Sequence, residues 1–533
     1  MKRIILALSI FALSLPGCSD RKTESLDYEA LNRQARQDYL VPVRPGYEGV
    51  NPFWNEFAVK FIYAPAFDFK EVDGATTYLF TAETNGKEYS FEADSPTAPL
   101  TPIWNDIPVG ETSLVVEALD SDGKVIGKAG ERRFLRDYPF RGPYPRRLES
   151  YRSSAKRALE YIHEMPEVIP WRTRTVPDAG KPVNTKFDYL CKILGNLIRC
   201  ETLLARLEPA LKDEALATAR NAAAYLIAES QPEGSPAAFF PPTYDERYGT
   251  NEVVTLAENK GKTMVMEAVE AAQGFLDLFD ATGERIYYDR AYGITDTYRR
   301  LQGEDGSWPI KMDIRTAEPV NNAKATPSAL LLLVRRWEDQ YGVEVFSEMR
   351  VRAEKFMEEI SLKKFDLTGQ FEDVGVNVKP YQNLTNTTAN AYACYLLSKK
   401  SVTPSESALA LDLVRFCEDQ FTYWGEFPGE FDARDSFYTP GVVEQYQWRA
   451  VVDASVAGVA QAFLYEYLDS GDKLWLAKAE ALADQITVVQ DRLTGKIPTT
   501  WRREPDNDRS SQIWVNCTYK CVLVLMKFAE VLE

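Results

Sequence analysis

Carboxylates and aromatic residues stand close together in three polar stretches of the chain. Asp245 follows Tyr244 in the first stretch, and Asp313 follows Trp308 in the second. The third stretch is the densest and contains Glu426, Glu430, Asp432, Asp435 and Glu444. Hydrolysis of a glycosidic bond needs a carboxylic acid at the leaving oxygen and a second carboxylate for water or for the anomeric carbon. The predicted catalytic acids and bases are Asp245, Asp313, Glu430 and Asp432, with Glu444 behind them.

Opposed loops can place two such carboxylates across a cleft, about 5–10 Å apart. For any one of these acids, a solvated or salt-bridged loop position is the simpler interpretation. The set therefore supports the hypothesis better than any single member does.

Aromatic and basic side chains share these stretches. A sugar ring has C–H faces that pack on aromatic rings and hydroxyl edges that need polar partners. Arg and Lys would also hold the carboxylate of a uronic acid. The predicted substrate-binding residues are Tyr244, Arg247, Trp308, Lys311, Tyr381, Tyr438, Trp448, Arg449, Trp501 and Arg502. Two alternatives stay open, because the rings can anchor long loops and the cations can neutralise the loop acids.

His163 is the only histidine, which limits the possible chemistry. HExxH metal sites are excluded, and Ser-His-Asp or Cys-His catalysis would require this one residue, for which a surface or packing role is the simpler interpretation. Carboxylates, tyrosine, lysine or arginine must therefore carry any reaction. On a uronate, Tyr244, Tyr381, Tyr438 or a lysine could take the α-proton, which leads to β-elimination or to epimerisation.

The chain has 533 residues and a net charge of −17, so it can bury a large core but lacks the basic surface that nucleic acid or an anionic membrane needs. Its N-terminus carries Met1-Lys2-Arg3, an apolar run from Ile4 to Leu15, and then Pro16-Gly17-Cys18. This pattern resembles a bacterial lipoprotein signal. The resemblance implies cleavage before Cys18, lipidation of its thiol, and a place in the cell envelope, at the outer membrane or in the periplasm, with the lipid anchor as the only membrane contact. An ordinary signal peptide is the alternative.

The six other cysteines all lie in apolar helical patterns, without a CxxC pair or a neighbouring histidine. Buried free thiols are predicted, and a metal site is not. No motif predicts a cofactor. Clustered acids from Glu430 to Asp435, or Asp506 with Asp508, could hold Ca²⁺, but their spacing matches no calcium loop.

Residues from about 57 to 136 alternate between apolar and polar positions, with the turn pairs Asn85-Gly86 and Asp122-Gly123 between runs. This pattern predicts an antiparallel β-sandwich over residues 51–138, after a spacer over residues 19–50. The stretches Val72 to Tyr78 and Ile107 to Gly123 resemble a fibronectin type III domain. Such a module serves as a spacer or packing partner more often than as a sugar-binding unit.

Beyond residue 144 the apolar period changes to 3.6 and predicts twelve helices of two alternating kinds. The odd helices are amphipathic and highly charged, and the even ones carry small and apolar residues over more of their circumference. Links from even to odd helices are short, whereas links from odd to even helices are long. Echoes of Gly306-Ser307-Trp308-Pro309 recur after the odd helices, as in Gly495-Lys496-Ile497-Pro498, and indicate an internal repeat.

Six such hairpins predict an all-α (α/α)6 toroid over residues 144–533, with its long loops on one rim. The count and alternation resemble the six-hairpin glycosidase-type superfamily, which includes hydrolases, polysaccharide lyases and sugar epimerases. The resemblance implies an enzyme that acts on an oligo- or polysaccharide. A glycoside hydrolase is the first hypothesis, a polysaccharide lyase or uronate epimerase the second, and a non-catalytic glycan-binding lipoprotein the third.

Overall fold

The computed structural model describes residues 26–43, 53–177, 189–249, 252–320, 323–365, 367, 381–426, 437–502 and 513–533. Cys18, Glu430 and Asp432 lie outside these ranges, as do Asp506 and Asp508. Within them, no helix is long and apolar enough to cross a membrane.

Helix α1 (Tyr28–Asp38) stands where the sequence predicts a spacer. The Asp27 side chain caps it by accepting the backbone N–H groups of Glu29 and Ala30, both at 3.1 Å. Leu31 and Ala35 are buried one turn apart, and Tyr39 is buried beyond them. A packed helix therefore lies within the stretch predicted as a spacer, because three apolar residues at helical spacing form a packing face in a largely polar segment.

A five-stranded sheet follows, formed by β1 (Lys60–Phe61), β2 (Thr77–Thr84), β3 (Lys87–Ala93), β4 (Gly110–Leu119) and β5 (Val125–Arg136). Its strand order is β1-β5-β4-β2-β3, and only the β1–β5 pair is parallel. Asn85 and Gly86, which join β2 to β3, both have positive φ angles, of 55° and 74°. This is the backbone of the tight Asn-Gly hairpin that the sequence predicts.

The core of this region lies between the sheet and irregular segments of the chain. Phe134 of β5 meets Phe61, Phe67 and Trp104 at ring-centroid distances of 5.5–6.0 Å. Phe67 and Trp104 belong to no strand, and Pro65, Pro99 and Pro102 stand near them. Because proline cannot donate to a sheet ladder, these segments supply apolar cover without forming strands. The strands are as predicted, but the described residues form one curled sheet where a sandwich has two.

The twelve predicted helices are present and alternate between an outer and an inner ring. The outer helices are α2 (Tyr151–His163), α4 (Lys212–Glu229), α7 (Arg285–Leu301), α9 (Ser347–Phe356), α11 (Pro404–Phe421) and α13 (Lys473–Val489). The inner helices are α3 (Leu190–Leu207), α6 (Ala268–Thr282), α8 (Ser328–Tyr341), α10 (Asn386–Leu397), α12 (Asp453–Ser470) and α14 (Val515–Leu532). One further short helix, α5 (Glu252–Thr255), lies in the long loop between α4 and α6. Each inner helix contacts the next, and α14 contacts α3, so the ring closes. The toroid prediction is confirmed.

Small residues let the inner helices approach closely. A Cβ atom at Gly195 would lie 2.7 Å from the Glu270 carbonyl carbon, and one at Gly274 would lie 2.6 Å from the Gly195 carbonyl oxygen. The two glycines therefore allow α3 and α6 to pack backbone to backbone. Gly283 and Gly471 end α6 and α12 in the left-handed conformation, which makes the short links to the outer helices.

The predicted internal repeat has matching contacts after α7 and after α13. Gln302 donates to the Gly306 and Met349 carbonyls, and Gln490 donates to the Gly495 and Ser154 carbonyls. Gly306 and Gly495 both have φ angles of +85°, and an added Cβ would strike a backbone carbonyl of the following outer helix. The repeat therefore fastens a long loop to the next outer helix.

A buried polar network joins the N-terminal region to the toroid. Glu418 of α11 accepts the hydroxyls of Tyr39 at 2.7 Å and Tyr63 at 2.8 Å, and the ammonium of Lys478 at 2.7 Å. Asp419 accepts the backbone N–H groups of Ile62 and Tyr63 at 2.7 and 2.8 Å. Because every one of these groups is buried, the network requires a single docking geometry.

Candidate functional site

The first two acidic stretches lie side by side on the long-loop rim. Strand β6 (Lys262–Met264) pairs with β7 (Lys311–Asp313), and the Thr243 hydroxyl lies 3.1 Å from that of Thr263. The Glu246 carboxylate accepts the backbone N–H of Gly261 at 2.5 Å. These contacts place the two stretches on one rim, as the sequence predicts. The role of each acid depends on the donors that contact its carboxylate.

Asp245 is buried, and neighbouring donors use both of its carboxylate oxygens. Oδ1 accepts the backbone N–H groups of Arg247 at 3.0 Å and Tyr248 at 2.9 Å, and Oδ2 accepts the Tyr225 hydroxyl at 2.9 Å. Burial, and then the charge of Asp245, raises the pKa of Tyr225. These contacts are those of a carboxylate that shapes a turn.

Asp313 is held in a similar way. It forms an ion pair with Lys262 at 2.7 Å and accepts the backbone N–H groups of Arg315 and Thr316 at 2.9 and 3.1 Å. The hydrogen bond from Lys262 lowers the pKa of Asp313 to about 2. A carboxyl group that stays ionised at any ordinary pH cannot serve as a general acid.

Two of the predicted tryptophans are entirely inside the protein. Trp308 donates its indole N–H to the Tyr298 carbonyl at 2.9 Å. Trp501 is equally buried, and its indole N–H finds no acceptor among the described residues. Both rings pack as loop anchors, which was the alternative interpretation for the aromatic residues.

Tyr244 and Lys311 are buried as well, whereas five other predicted residues are more accessible. Tyr438 and Trp448 are 39% and 38% exposed. The Arg449 guanidinium lies 5.9 Å from the Tyr446 ring, and that of Arg502 lies 5.8 Å from the Phe437 ring. Tyr381 donates its hydroxyl to the Lys364 carbonyl at 2.9 Å.

Arg247 and Glu444 complete the predicted set. The Arg247 side chain is 61% exposed and lies 3.4 Å from Glu229. Glu444 is half-buried; its backbone carbonyl accepts the Asn386 amide at 3.0 Å, and Gln445 donates to its carboxylate at 3.5 Å. The structure thus brings the first two acidic stretches to one rim, where other donors already contact the carboxylate oxygens of Asp245 and Asp313.

An aromatic and cationic cluster lies where inner helices α3 and α14 begin. Tyr189 and Trp514 stack with their ring centroids 5.9 Å apart and an interplanar angle of 17°. The Lys192 ammonium lies 5.0 Å from the first ring and 4.6 Å from the second. Tyr244 meets Tyr189 at 6.1 Å, and Lys311 lies 5.6 Å from the Tyr244 ring. We call these five residues the rim cluster; two of them, Tyr244 and Lys311, are predicted binding residues.

Polar side chains continue down the inner helices below the rim cluster. Glu270 of α6 accepts the Asn196 amide at 3.2 Å and the Arg199 guanidinium at 3.3 Å, both from α3. Lys520 of α14 donates to Gln461 of α12 at 2.9 Å. We call these five residues the axial set. Glu270 keeps 31% of its side chain exposed and Arg199 keeps 17%, so water reaches this polar interior.

Burial lowers the pKa of both cations of the axial set, but their net pKa shifts have opposite signs. Burial lowers the pKa of Lys520, although Cys394 and Glu270 act electrostatically in the other sense. The pKa of Arg199 is raised, because Tyr519, Asp277 and Glu270 more than offset its burial. The axial set therefore combines a fixed cation, a carboxylate and an amine whose pKa is lowered, which are the components of acid–base chemistry.

The sequence reasoning missed the axial set because it sought chemistry in the loops. A signal was present: Lys192, Asn196 and Arg199 follow one face of an otherwise apolar helix at i, i+4 and i+7. On a helix assigned to the inner ring, such a polar stripe faces the hollow of the toroid.

His163 lies apart from this chemistry. It is fully buried, and its Nδ1 lies 2.8 Å from Glu201. Of the two simpler roles considered for it, surface or packing, the structure shows packing. The six cysteines of the described residues are free and buried, also as predicted. No group of three or more His, Cys, Asp or Glu side chains with metal-ligand geometry occurs in the described ranges.

Comparisons with known proteins place the fold. No protein-family model matches the chain, and no curated protein matches it in sequence. A cellobiose 2-epimerase from Spirochaeta thermophila superposes with a TM-score of 0.50 at 12% identity, over 72% of this chain and 98% of that one. A D-mannose isomerase superposes with a TM-score of 0.50 at 10% identity, over 72% of this chain and 100% of that one. The chain shares their toroid fold. A family 76 glycoside hydrolase from a bovine Bacteroides thetaiotaomicron strain is more distant, with a TM-score of 0.45 at 9% identity, over 86% of this chain and 93% of that one.

Proposed function

We propose that this protein is a carbohydrate-active enzyme whose substrate enters the toroid from the long-loop rim. The observation that carries the proposal is the rim cluster directly above the axial set. The partly exposed Trp514 offers aromatic surface to a sugar ring and is backed by the buried Tyr189, Lys192 offers a donor, and Glu270 lies below them on a neighbouring inner helix. Solved proteins with this fold are named as sugar epimerases and isomerases, which supports the same substrate class.

The first candidate reaction is hydrolysis of a glycosidic bond. Glu270 is partly exposed and is oriented by two donors, which suits a base or a nucleophile. Its partner, a protonated acid, would come from the third acidic stretch, where Glu430 and Asp432 remain the predicted residues. Asp245 and Asp313 rank below them, because backbone and side-chain donors already occupy their oxygens.

The second candidate is proton transfer at a uronic acid, as a polysaccharide lyase or a uronate epimerase. Burial lowers the pKa of Lys520, so a larger fraction of this amine is in the neutral form that can accept a proton than for an exposed lysine. Lys192 would neutralise the substrate carboxylate, whereas the Lys311 ammonium is buried and donates to Asn259 at 2.7 Å. Tyr244, Tyr381 and Tyr438 remain the tyrosines predicted to transfer the proton.

A single assay separates these reactions. The chain without residues 1–18 is incubated with neutral and uronic acid oligosaccharides and polysaccharides, while reducing ends and the absorbance of unsaturated products are followed together. New reducing ends alone would support hydrolysis. A rise in both signals would overturn it in favour of a lyase, and exchange of substrate hydrogen with deuterated water without either signal would favour an epimerase. Calorimetric binding without any of the three signals would favour a glycan-binding protein.

The cell-envelope location is part of the same proposal. Lipidation at Cys18 would tether the enzyme where extracellular glycans arrive, and the N-terminal sheet, for which the fibronectin-like resemblance stays a prediction, would hold the toroid away from the anchor. Expression of the full chain with a labelled fatty acid tests this. Label incorporated by the wild type but absent from a Cys18→Ala variant is expected, and equal labelling of the two would contradict lipidation at Cys18.

A further inference from the structure

A pocket of about 720 Å³ lies between helix α1 and the N-terminal sheet. Four arginines line it: Arg33 and Arg36 from α1, Arg136 from the end of β5, and Arg141 just beyond it. No aspartate or glutamate is among its lining residues. On a chain with a net charge of −17, four cations around one cavity are an unusual concentration of positive charge.

Three of these four arginines lack a strong carboxylate partner among the described residues. Arg36 and Arg141 are exposed, and neither forms an ion pair with an acid of the described ranges. Arg33 has only Glu29, at 4.0 Å, and both side chains of that pair are more than two thirds exposed. Such a pair contributes little, so the Arg33 guanidinium can turn to another anion.

Arg136 forms the buried part of the pocket. Its Nη1 donates to the carbonyls of Ile62 at 3.2 Å and Asp137 at 2.8 Å, and its guanidinium lies 4.3 Å from the Trp104 ring. The side chain is only 6% exposed, and its Nε finds no acceptor among the described residues. Burial lowers the pKa of Arg136 to about 10. The nearest acid, Asp137, directs a carboxylate oxygen toward Lys60 at 3.4 Å.

The rest of the lining suits a polyol. Gln37 and Asn105 are exposed amides that can exchange hydrogen bonds with hydroxyl groups, and Ile107, Pro108 and Val109 provide an apolar wall. Arginine forks bind carboxylate and sulfate groups with two parallel hydrogen bonds. A lipid headgroup would contact only the arginines. An acidic sugar would also form hydrogen bonds with the amides and pack its ring against the apolar side chains.

We propose that this pocket binds an acidic oligosaccharide, one that carries carboxylate or sulfate groups. The site is separate from the rim cluster, because it is built from α1 and the sheet, and α1 is fixed by Gln34 to Asp472 in a short link on the opposite rim. It would hold an acidic glycan chain on the N-terminal region and so keep it near the enzyme. The inference stands whether or not the toroid acts on that glycan.

The test is calorimetric titration of the full chain in detergent with tetragalacturonic acid and with a chondroitin sulfate tetrasaccharide. Binding is expected in low salt and should weaken steeply as NaCl rises. The variant Arg36→Gln/Arg141→Gln should lose about tenfold or more in affinity, since each guanidinium contributes a charge-assisted contact. The control Arg152→Gln/Arg285→Gln removes two exposed arginines outside the pocket and should bind as the wild type does.

Other outcomes of the binding experiments would assign the binding to a different ligand or to a different site. Equal binding by the wild type and the pocket variant would overturn the proposal, as would no binding to the wild type. If Lys192→Gln abolished the signal while the pocket variant kept it, the acidic sugar would be bound at the toroid, and the pocket proposal would fail. Binding to phosphatidylglycerol vesicles without binding to either tetrasaccharide would replace the saccharide with a lipid headgroup.

Discussion

The carboxylates of the long-loop rim and the carboxylate inside the ring face different surroundings. Asp245 and Asp313 each accept two backbone N–H groups and one side-chain donor, and these contacts shape the loops that carry them. Glu270 accepts only side-chain donors, from a neighbouring helix, and keeps 31% of its side chain exposed. A carboxylate that stabilises a loop already accepts hydrogen bonds on its oxygens. A carboxylate on a rigid helix with an accessible oxygen can contact a substrate.

The largest effect should come from Glu270. Glu270→Gln keeps the size and one acceptor of the side chain but removes the charge, so it should lower kcat by about 10²–10⁴-fold. The melting temperature should change little, since the amide oxygen can still accept from Asn196. Steady-state kinetics and thermal unfolding on the same preparations measure both quantities. Glu530→Gln, an exposed position on inner helix α14, is the matched control. Wild-type kcat in the Glu270 variant would remove this residue from the proposed chemistry.

Asp245 should behave in the opposite way. Asp245→Ala leaves the buried Tyr225 hydroxyl and two backbone N–H groups without their acceptor, which should lower the free energy of unfolding by about 3 kcal/mol. Denaturant unfolding followed by circular dichroism measures the loss. The kcat of the folded fraction should remain within a few-fold of the wild type. A stable Asp245→Asn protein without activity would instead return this residue to the catalytic set.

The architecture could be predicted from the sequence because it depends on periodicity. A change from period two to 3.6, and the alternation of short and long links, predict all twelve helices and the closed ring. The Asn85-Gly86 turn and the loop repeat with Gly306 and Gly495 are also local signals, set by backbone conformations that glycine and asparagine adopt most readily. Each of these signals is carried by residues that are close together in the sequence.

The site could be predicted only in part, because burial and pairing depend on residues distant in the chain. The sequence around Trp308 is compatible with a sugar-stacking residue, and only the folded toroid shows that this ring is fully buried. Asp313 reads as a catalytic acid until Lys262, 51 residues earlier, is seen to hold it. Only the three-dimensional ring places Glu270 beside Arg199, which is 71 residues away in sequence.

The pH dependence of stability provides a smaller test of the same contrast. The pKa of Asp313 is held at about 2 by Lys262, below its value in an unfolded chain. A depressed pKa stabilises the fold above the unfolded value, near 4, and this contribution disappears as the pH falls toward 2. Because the side chain is 27% exposed, the contribution is about 1 kcal/mol. Asp313→Asn should therefore cost about 1 kcal/mol at pH 7 and almost nothing at pH 2, as measured by urea unfolding at both values. An equal cost at both values would mean that the ion pair with Lys262 adds no stability.

The smallest effect should be that of Arg247, the most exposed of the predicted binding residues whose ion pair is known. Its 3.4 Å contact with Glu229 leaves 61% of the side chain in water, so Arg247→Gln should change the free energy of unfolding by less than about 0.5 kcal/mol. Stability therefore cannot explain a change in substrate affinity at this position. If the variant binds an acidic oligosaccharide more weakly, and a neutral one as well as before, then Arg247 contacts a substrate carboxylate. If both affinities stay at the wild-type value, Arg247 pairs with Glu229 without contacting the substrate. Residues on the helices of the inner ring then account for substrate recognition.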